Sequence, residues 1–399
     1  MAVVPEASSQ IECAICGKKT HAMHLHLKEH HPEMNIDQYR TAYPDAPLLS
    51  DYAAKVIAER EAGKKGKPAV VKAESEESSD TVATAPDASG KFKRDALHTL
   101  FGLKGKEGLS SSGKPIPVTV MIPDETAAKF VPPRDEDYVF TPGVLKDALI
   151  GLELNIPTYV WGHAGTGKST LIEQICSITQ RAMIRVQHSA NTEEAHITGQ
   201  WTVKGGETVF EPGLLLLAMK NGWVYVADEY DFASPSVLAV YQAVLEGKAC
   251  VTKEADEKWR IVQPHEGFRF MATGNSNGSG DESGLYQGVM IQNAANYERF
   301  GMVINMPYMK ESEETRILSG KLGLEKDDAS KLVKFANLVR EQFNSKRMMA
   351  TISPRALLYA GTIGLRKGCF KAGIECSFAN RLSSVDREVV KGLAQRVFG

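Results

Sequence analysis

The stretch TYVWGHAGTGKSTLIEQICSIT, residues 158–179, carries the pattern on which the fold turns. Its opening TYVW is β-branched and aromatic and reads as a short buried strand, while STLIEQICSIT reads as the helix that follows. Between them Gly162, His163, Ala164, Gly165, Thr166, Gly167, Lys168 and Ser169 match G-x-x-x-x-G-K-[ST], and Thr170 counts with the cradle. The glycines let backbone N–H groups turn inward on a phosphate chain. Lys168 supplies a point charge to β and γ oxygens, and the Ser169 hydroxyl is a ligand for Mg²⁺. Strand, cradle and helix in this order predict a nucleoside triphosphate site.

Further along, WVYVAD (223–228) and FRFMAT (268–273) read as two more short strands ending in polar residues, and AMIRVQ (182–187) as another. Short apolar runs alternating with helical ones predict an α/β fold with a parallel sheet. Asp228 and Glu229 end one strand: Asp228 is suited to orient Mg²⁺ or its water, Glu229 to polarise an attacking water. Asn275 follows another, where an amide holds the lytic water against the γ-phosphate. Arg299 lies near the end of a helix just before a strand, where a ring-forming ATPase presents a finger to its neighbour. Arg355, in SPRAL, opens a helix that moves with a lid; Arg260, Arg269 and Arg316 are rivals. GQWTVKGGETVF (199–210) has two alternating arms about Gly205-Gly206, a hairpin signal. From residue 310 onward, DASKLVKFANLVREQF and SPRALLYAGTIG predict a helical lid domain, residues 310–399.

Composition narrows the class without naming a task. The chain has 399 residues, 43% hydrophobic and 24% charged, with a formal net charge of −2. It is long enough for one substantial core and smaller units. The charge gives no global attraction to nucleic acid or anionic lipid. MAVVPEASSQ lacks the marks of a leader, and the run Leu214 to Met219 is too short to span a bilayer, so a cytoplasmic protein with no membrane contact is expected. Residues 61–95 form the expected linker, because GKKGKPAVVKAESEESSDTVATAPDASGK has no aromatics and too little apolar area to offset ordering entropy.

The order of these motifs resembles the AAA+ ATPases of the MoxR branch, with the hairpin as the insert in the second helix of an ATPase core spanning residues 96–309. More narrowly, GTGKSTLIEQI, the DEYD of ADEYDFASPSVL, and ATGNSNGSGDESGLYQGVMIQNAANYERF resemble the CobS family, the ATPase subunits of aerobic cobaltochelatase. GDESGLYQG is long, specific and not demanded by ATP chemistry, and nothing in its spacing brings it to the phosphate cradle. The resemblance implies a hexameric ring with ATP between subunits and Arg299 acting on the neighbour's nucleotide. It also implies a CobT-like partner with a von Willebrand A-type domain, and a large subunit holding the corrin into which cobalt is inserted. The alternatives are a MoxR-type chaperone for another von Willebrand client, and a zinc-finger ATPase that binds DNA.

The N-terminal residues 1–60 form a compositional island. Cys13 and Cys16 precede His21, His24, His26, His30 and His31, and two thiolates with two imidazoles make a closed tetrahedral Zn²⁺ site. Spacing alone leaves open which histidines serve. CAICGKKTHAMHLHLKEHHPEMNIDQYR resembles the Ros/MucR zinc finger, which implies Cys13, Cys16, His26 and His31 as ligands, with His30 or His24 as substitutes. Lys18, Lys19 and Lys28 are too few, with no base-reading row, to make DNA contact the leading expectation.

Overall fold

A computed structural model describes residues 11–20, 23–44, 46–48, 50, 87, 90–281 and 284–399. The chain divides into two compact units, residues 1–78 and 79–399. The expected linker lies outside the described residues apart from 87 and 90–95.

The larger unit is built on a parallel sheet of five strands: β1 (Thr158–Trp161), β2 (Met183–Gln187), β3 (Val224–Asp228), β4 (Arg269–Gly274) and β5 (Met302–Asn305), in the order β5-β1-β4-β3-β2. Successive side chains alternate across the strands and give the sheet two apolar faces. Val160, Val226, Met271 and Ile304 pack on α1 (Pro142–Glu153) and α2 (Lys168–Ile178), while Tyr159, Tyr225, Phe270 and Ala272 pack with α3 (Leu214–Asn221) on the other side. The strand ahead of the cradle is therefore central and buried, as its sequence predicts.

The hairpin forms as expected. Gly199–Lys204 pairs antiparallel with Glu207–Pro212, and Gly205 and Gly206 turn it with φ of 62° and 89°, the positive pair that a type I′ turn demands. One strand begins earlier than expected for the core: Phe92–Ala96, whose first four residues fall in the expected linker, pairs with Pro117–Met121. The C-terminal helices are α4 (Glu311–Leu322), α5 (Lys326–Asn344), α6 (Pro354–Lys367), α7 (Phe370–Ser377) and α8 (Ser384–Phe398). Leu318, Leu332, Phe335, Leu357, Ile374 and Val390 bury their own cluster among these helices. Pro354 starts α6 where its missing N–H costs nothing, and Ser353 caps the helix by accepting from the Ala356 N–H.

In the smaller unit, Ile11–Glu12 pairs with Lys19–Thr20, followed by helices Met23–His30 and Ile36–Ala42. Among the described residues its apolar cluster rests on the buried Cys13, Met23, Leu27 and Tyr39. No helix of the described residues is long and apolar enough to cross a membrane.

Candidate active site

The cradle follows β1 directly. Gly165 and Gly167 have φ of 77° and 93°, a region open to glycine at little cost, and a Cβ on Gly165 would come within 2.8 Å of Ser353. Parallel register carries the remaining groups to the same end of the sheet. Asp228 lies at the end of β3 opposite Gln187, and Gly274 ends β4 opposite Trp161. Ligands bind at this carboxyl edge in open α/β sheets.

Lys168 is 8% exposed and donates to the carbonyls of Gly162 at 2.7 Å and His163 at 3.1 Å. It also donates to Asn275 Oδ1 at 3.0 Å, so the expected lysine and amide meet. Burial is the main reason that the ammonium pKa falls to about 8, although Asp231, Asp228 and Glu229 pull it back upward. Ser169 Oγ donates to Asp228 Oδ1 at 2.6 Å. The hydroxyl and carboxylate that would hold Mg²⁺ are thus adjacent, and a hard cation suits this all-oxygen pair.

Asp228 is saturated by more than the expected serine. Thr273 Oγ1 donates to Oδ1, and Arg185 Nε donates to Oδ2 at 2.8 Å. Burial opposes ionisation of Asp228, but Ser169, Thr273 and Arg185 outweigh it and hold the carboxyl below its ordinary range. Glu229 takes φ of 54°, a left-handed conformation uncommon for a residue with a Cβ. Gln187 Nε2 donates to its carboxylate at 2.7 Å, and its own N–H donates to Thr273 Oγ1 at 3.2 Å. Such backbone persists where neighbours hold it and is enriched at functional positions.

Of the remaining predicted residues, Ala164, Thr170 and Arg355 line the same cleft, together with Gly165, Gly167, Lys168, Ser169, Asp228, Glu229 and Asn275. Gly162, His163 and Thr166 shape the loop from behind; Thr166 donates to the His163 carbonyl at 2.8 Å. Arg299 follows the short helix Ala294–Tyr297 and precedes β5, as expected, but does not line this cleft. It donates to Glu246 Oε1 at 2.8 Å and to the Ala295 carbonyl. Among its rivals, Arg269 spends its guanidinium on the carbonyls of Leu152, Glu266 and Phe268.

Sequence reasoning missed Arg185, Gln187, Thr273, Asp231 and Tyr286. The first two were signalled by the polar residues alternating in MIRVQ. Asp231, the last residue of DEYD, is fully buried and accepts from the N–H groups of Asn275 at 2.8 Å and Ser276 at 2.9 Å. Its carbonyl accepts from the Met290 N–H at 2.8 Å, binding the loop after β4 to the loop after β3. Burial pushes its carboxyl up in spite of these bonds.

GDESGLYQG, which its spacing does not bring to the cradle, returns to it in the fold. Tyr286 Oη accepts from the Ala164 N–H at 2.9 Å and lies 3.1 Å from His163 Nδ1, across 122 and 123 residues of sequence. Spacing gives no sign of this, because the return of the loop depends on its anchorage at Asp231.

In the smaller unit, ligand atoms of Cys13, Cys16, His26 and His31 all lie within 4.8 Å of one another. Cys16 Sγ is 3.2 Å from His26 Nε2, and Cys13 Sγ is 4.0 Å from His31 Nε2. Tetrahedral Zn²⁺ with thiolate and imidazole ligands sets such atoms roughly 3.3–3.8 Å apart; the 3.2 and 4.0 Å contacts bracket that spacing, and two thiols with two imidazoles are a donor set suited to the metal. His30 is exposed and outside the group, its ring centroid 4.7 Å from that of His26. His21 and the side chains of His24 and Lys28 lie outside the described residues.

Strand order, cradle and the carboxylate pair at the end of β3 define a P-loop ATPase of AAA+ type, which hydrolyses ATP. A family model for the dynein-related AAA domain matches residues 157–287, and one for the CbbQ/NirQ/NorQ C-terminal domain matches residues 314–397. The aerobic cobaltochelatase subunit CobS from a Sinorhizobium species is 32% identical over 279 residues, covering 68% of this chain and 83% of that protein. NorQ of Paracoccus denitrificans is 23% identical over 273 residues, 68% of this chain and 94% of NorQ. The mouse von Willebrand factor A domain-containing protein 8 is 30% identical over 145 residues, 34% of this chain and 7% of that protein. The chain belongs to the MoxR branch of the AAA+ ATPases, in the family of CobS.

Proposed function

We propose that this chain is the motor of a cobalt chelatase, a ring in which ATP hydrolysis remodels a CobT-like partner carrying a von Willebrand A-type domain. The observation that carries the reading is the 32% identity to CobS extending over 83% of that protein. The likeness to a von Willebrand A domain-containing protein agrees with the proposed partner class.

In this reading Lys168 and the cradle N–H groups hold the β and γ phosphates. Ser169 and Asp228 would hold Mg²⁺, which neutralises charge between the phosphate oxygens. Glu229 takes the proton of the attacking water, and Asn275 leaves Lys168 to position that water. Arg355 senses the γ-phosphate from the lid side of the same chain. Arg299 serves the neighbouring subunit; its ion pair with Glu246 leaves it outside its own cleft. The Cys₂His₂ group binds a structural Zn²⁺ that stabilises the smaller unit.

Two experiments test this reading. Arg299→Ala subunits mixed with Glu229→Gln subunits regain hydrolysis at hybrid interfaces if the finger acts in trans; no recovery at any ratio ends that assignment. With a CobT-like protein and the large corrin-binding subunit, the wild-type chain supports ATP-dependent cobalt insertion into hydrogenobyrinic acid diamide. ATPase activity without insertion points to a different client.

A further inference from the structure

We infer that His163 is a positioning residue that couples the phosphate loop to Arg355 through the lid. The inference rests on the sensor role proposed for Arg355. A phosphate cradle accepts any residue at the second position of its motif, so phosphate chemistry does not account for a histidine there. His163 also stays out of the cleft, and its ring turns toward other elements.

Three contacts define its placement. The imidazole lies nearly parallel to the Tyr308 ring, with centroids 5.4 Å apart and planes 12° apart, and meets the edge of Phe343 at 5.8 Å. These are favourable offset and edge geometries. Its Nδ1 lies 3.1 Å from Tyr286 Oη. The Ala164 N–H donates to one lone pair of that oxygen, which leaves its phenolic proton available to Nδ1 of a neutral imidazole. Burial first, then Lys168 and Arg340, push its pKa down, in keeping with a stacked neutral ring.

From Tyr308 the contacts continue to Arg355. The Arg340 guanidinium lies 4.1 Å from the Tyr308 ring centroid, a cation–π distance. Arg340 is locked in place by Glu314, with Nη1 and Nη2 donating to the two carboxylate oxygens at 2.6 and 2.8 Å. Its Nε donates to the Ile352 carbonyl at 3.2 Å. Ile352 immediately precedes Ser353, the cap of α6, and Arg355 is the second residue of that helix. A movement of the phosphate loop at His163 is therefore passed through Tyr308 and Arg340 to the start of the helix that carries Arg355. Tyr286 adds a second tie, from the cradle to the loop ahead of Arg299.

The test is a double-mutant cycle on the full chain, read as the Kd of a fluorescent ATP analogue and as kcat. His163→Ala is expected to leave Kd within about threefold and to lower kcat about tenfold, a size that misplacement of a catalytic group readily reaches. Arg355→Ala also lowers kcat, and the double variant is no slower than Arg355→Ala alone, because the two act in one path. His163→Phe, which keeps a ring on Tyr308, recovers most of the loss. If losses in the double variant multiply, or if kcat of His163→Ala stays at the wild-type value, the coupling is overturned while the sensor role stands. If Arg355→Ala turns over normally, the sensor role fails and the coupling falls with it. Should His163→Ala melt early, His163→Gln, which removes the ring and keeps chain bulk, takes its place with the same outcomes.

Discussion

Arg185 Nη2 lies 2.5 Å from Asp228 Oδ2, so the carboxylate expected to face Mg²⁺ already faces a cation of its own chain. The same guanidinium reaches Glu173 Oε1 at 2.8 Å and ties β2 to α2. With Ser169 and Thr273 on the other oxygen, Asp228 is ionised and held in one orientation before any ligand arrives.

Loss of this pair has a signed consequence. The folded-state pKa of Asp228 lies below its unfolded value, so the group contributes stability that is present above the unfolded pKa and lost as pH falls through the folded one. Arg185→Ala raises that folded pKa and moves acid unfolding to higher pH. At neutral pH the loss is about 1 kcal/mol, the modest figure expected for a partly exposed cation. Urea titrations at pH 7 and pH 4 check this; identical curves for variant and wild type at both would remove the pair from the account.

Lys168 predicts a proton linkage. Its pKa of about 8 lies below the free-lysine value, so the charged form is disfavoured in the nucleotide-free fold, and that penalty fades as pH rises through about 8. Phosphates restore the charge, so ATP binding takes up a proton above pH 8 and weakens there. Calorimetry in two buffers of different ionisation enthalpy should show uptake at pH 8.5 and almost none at pH 6.5. Equal uptake at both values would contradict the assignment.

Glu229→Gln should bind ATP normally and hydrolyse it about 10²- to 10⁴-fold more slowly, the range for loss of a general base. Lys168→Ala should lose binding itself. Normal turnover by Glu229→Gln would move the base to another residue.

The buried pair of Arg340 and Glu314, 5% and 3% exposed in their side chains, makes a sharp stability prediction. Arg340→Ala leaves a carboxylate without its partner and should cost about 3–5 kcal/mol, whereas replacing both residues with methionine should cost less than that single change. Chemical denaturation of the three proteins settles the order. A single variant as stable as wild type would show that the pair is not desolvated in solution.

Metal analysis of the full chain should find one zinc per chain, lost in Cys13→Ser and His31→Ala and kept in His30→Ala. A chelator should unfold the smaller unit and leave nucleotide binding by the larger one intact, because structural zinc supplies folding energy to its own module. Zinc retained by His31→Ala but lost by His30→Ala would reverse the assignment of ligands.

What the sequence determined on its own was local. Glycine spacing between an apolar strand and a helix specified the cradle, Gly205-Gly206 specified a hairpin turn, and helical periodicity specified α5 and α6. Each is dictated by backbone sterics or by burial within a window of a few residues. The carboxylates at the end of β3 were legible for the same reason. What the tertiary structure decided was which distant side chains meet. Parallel register placed Arg185 and Gln187 beside Asp228 and Glu229, and the anchorage at Asp231 returned Tyr286 to the cradle across 122 residues. In the small unit the helix ends at His30, and His31, just past that end, is the residue whose ring lies with Cys13, Cys16 and His26. Such pairings depend on strand order and close packing of the whole domain, and neither is encoded in any short window of residues.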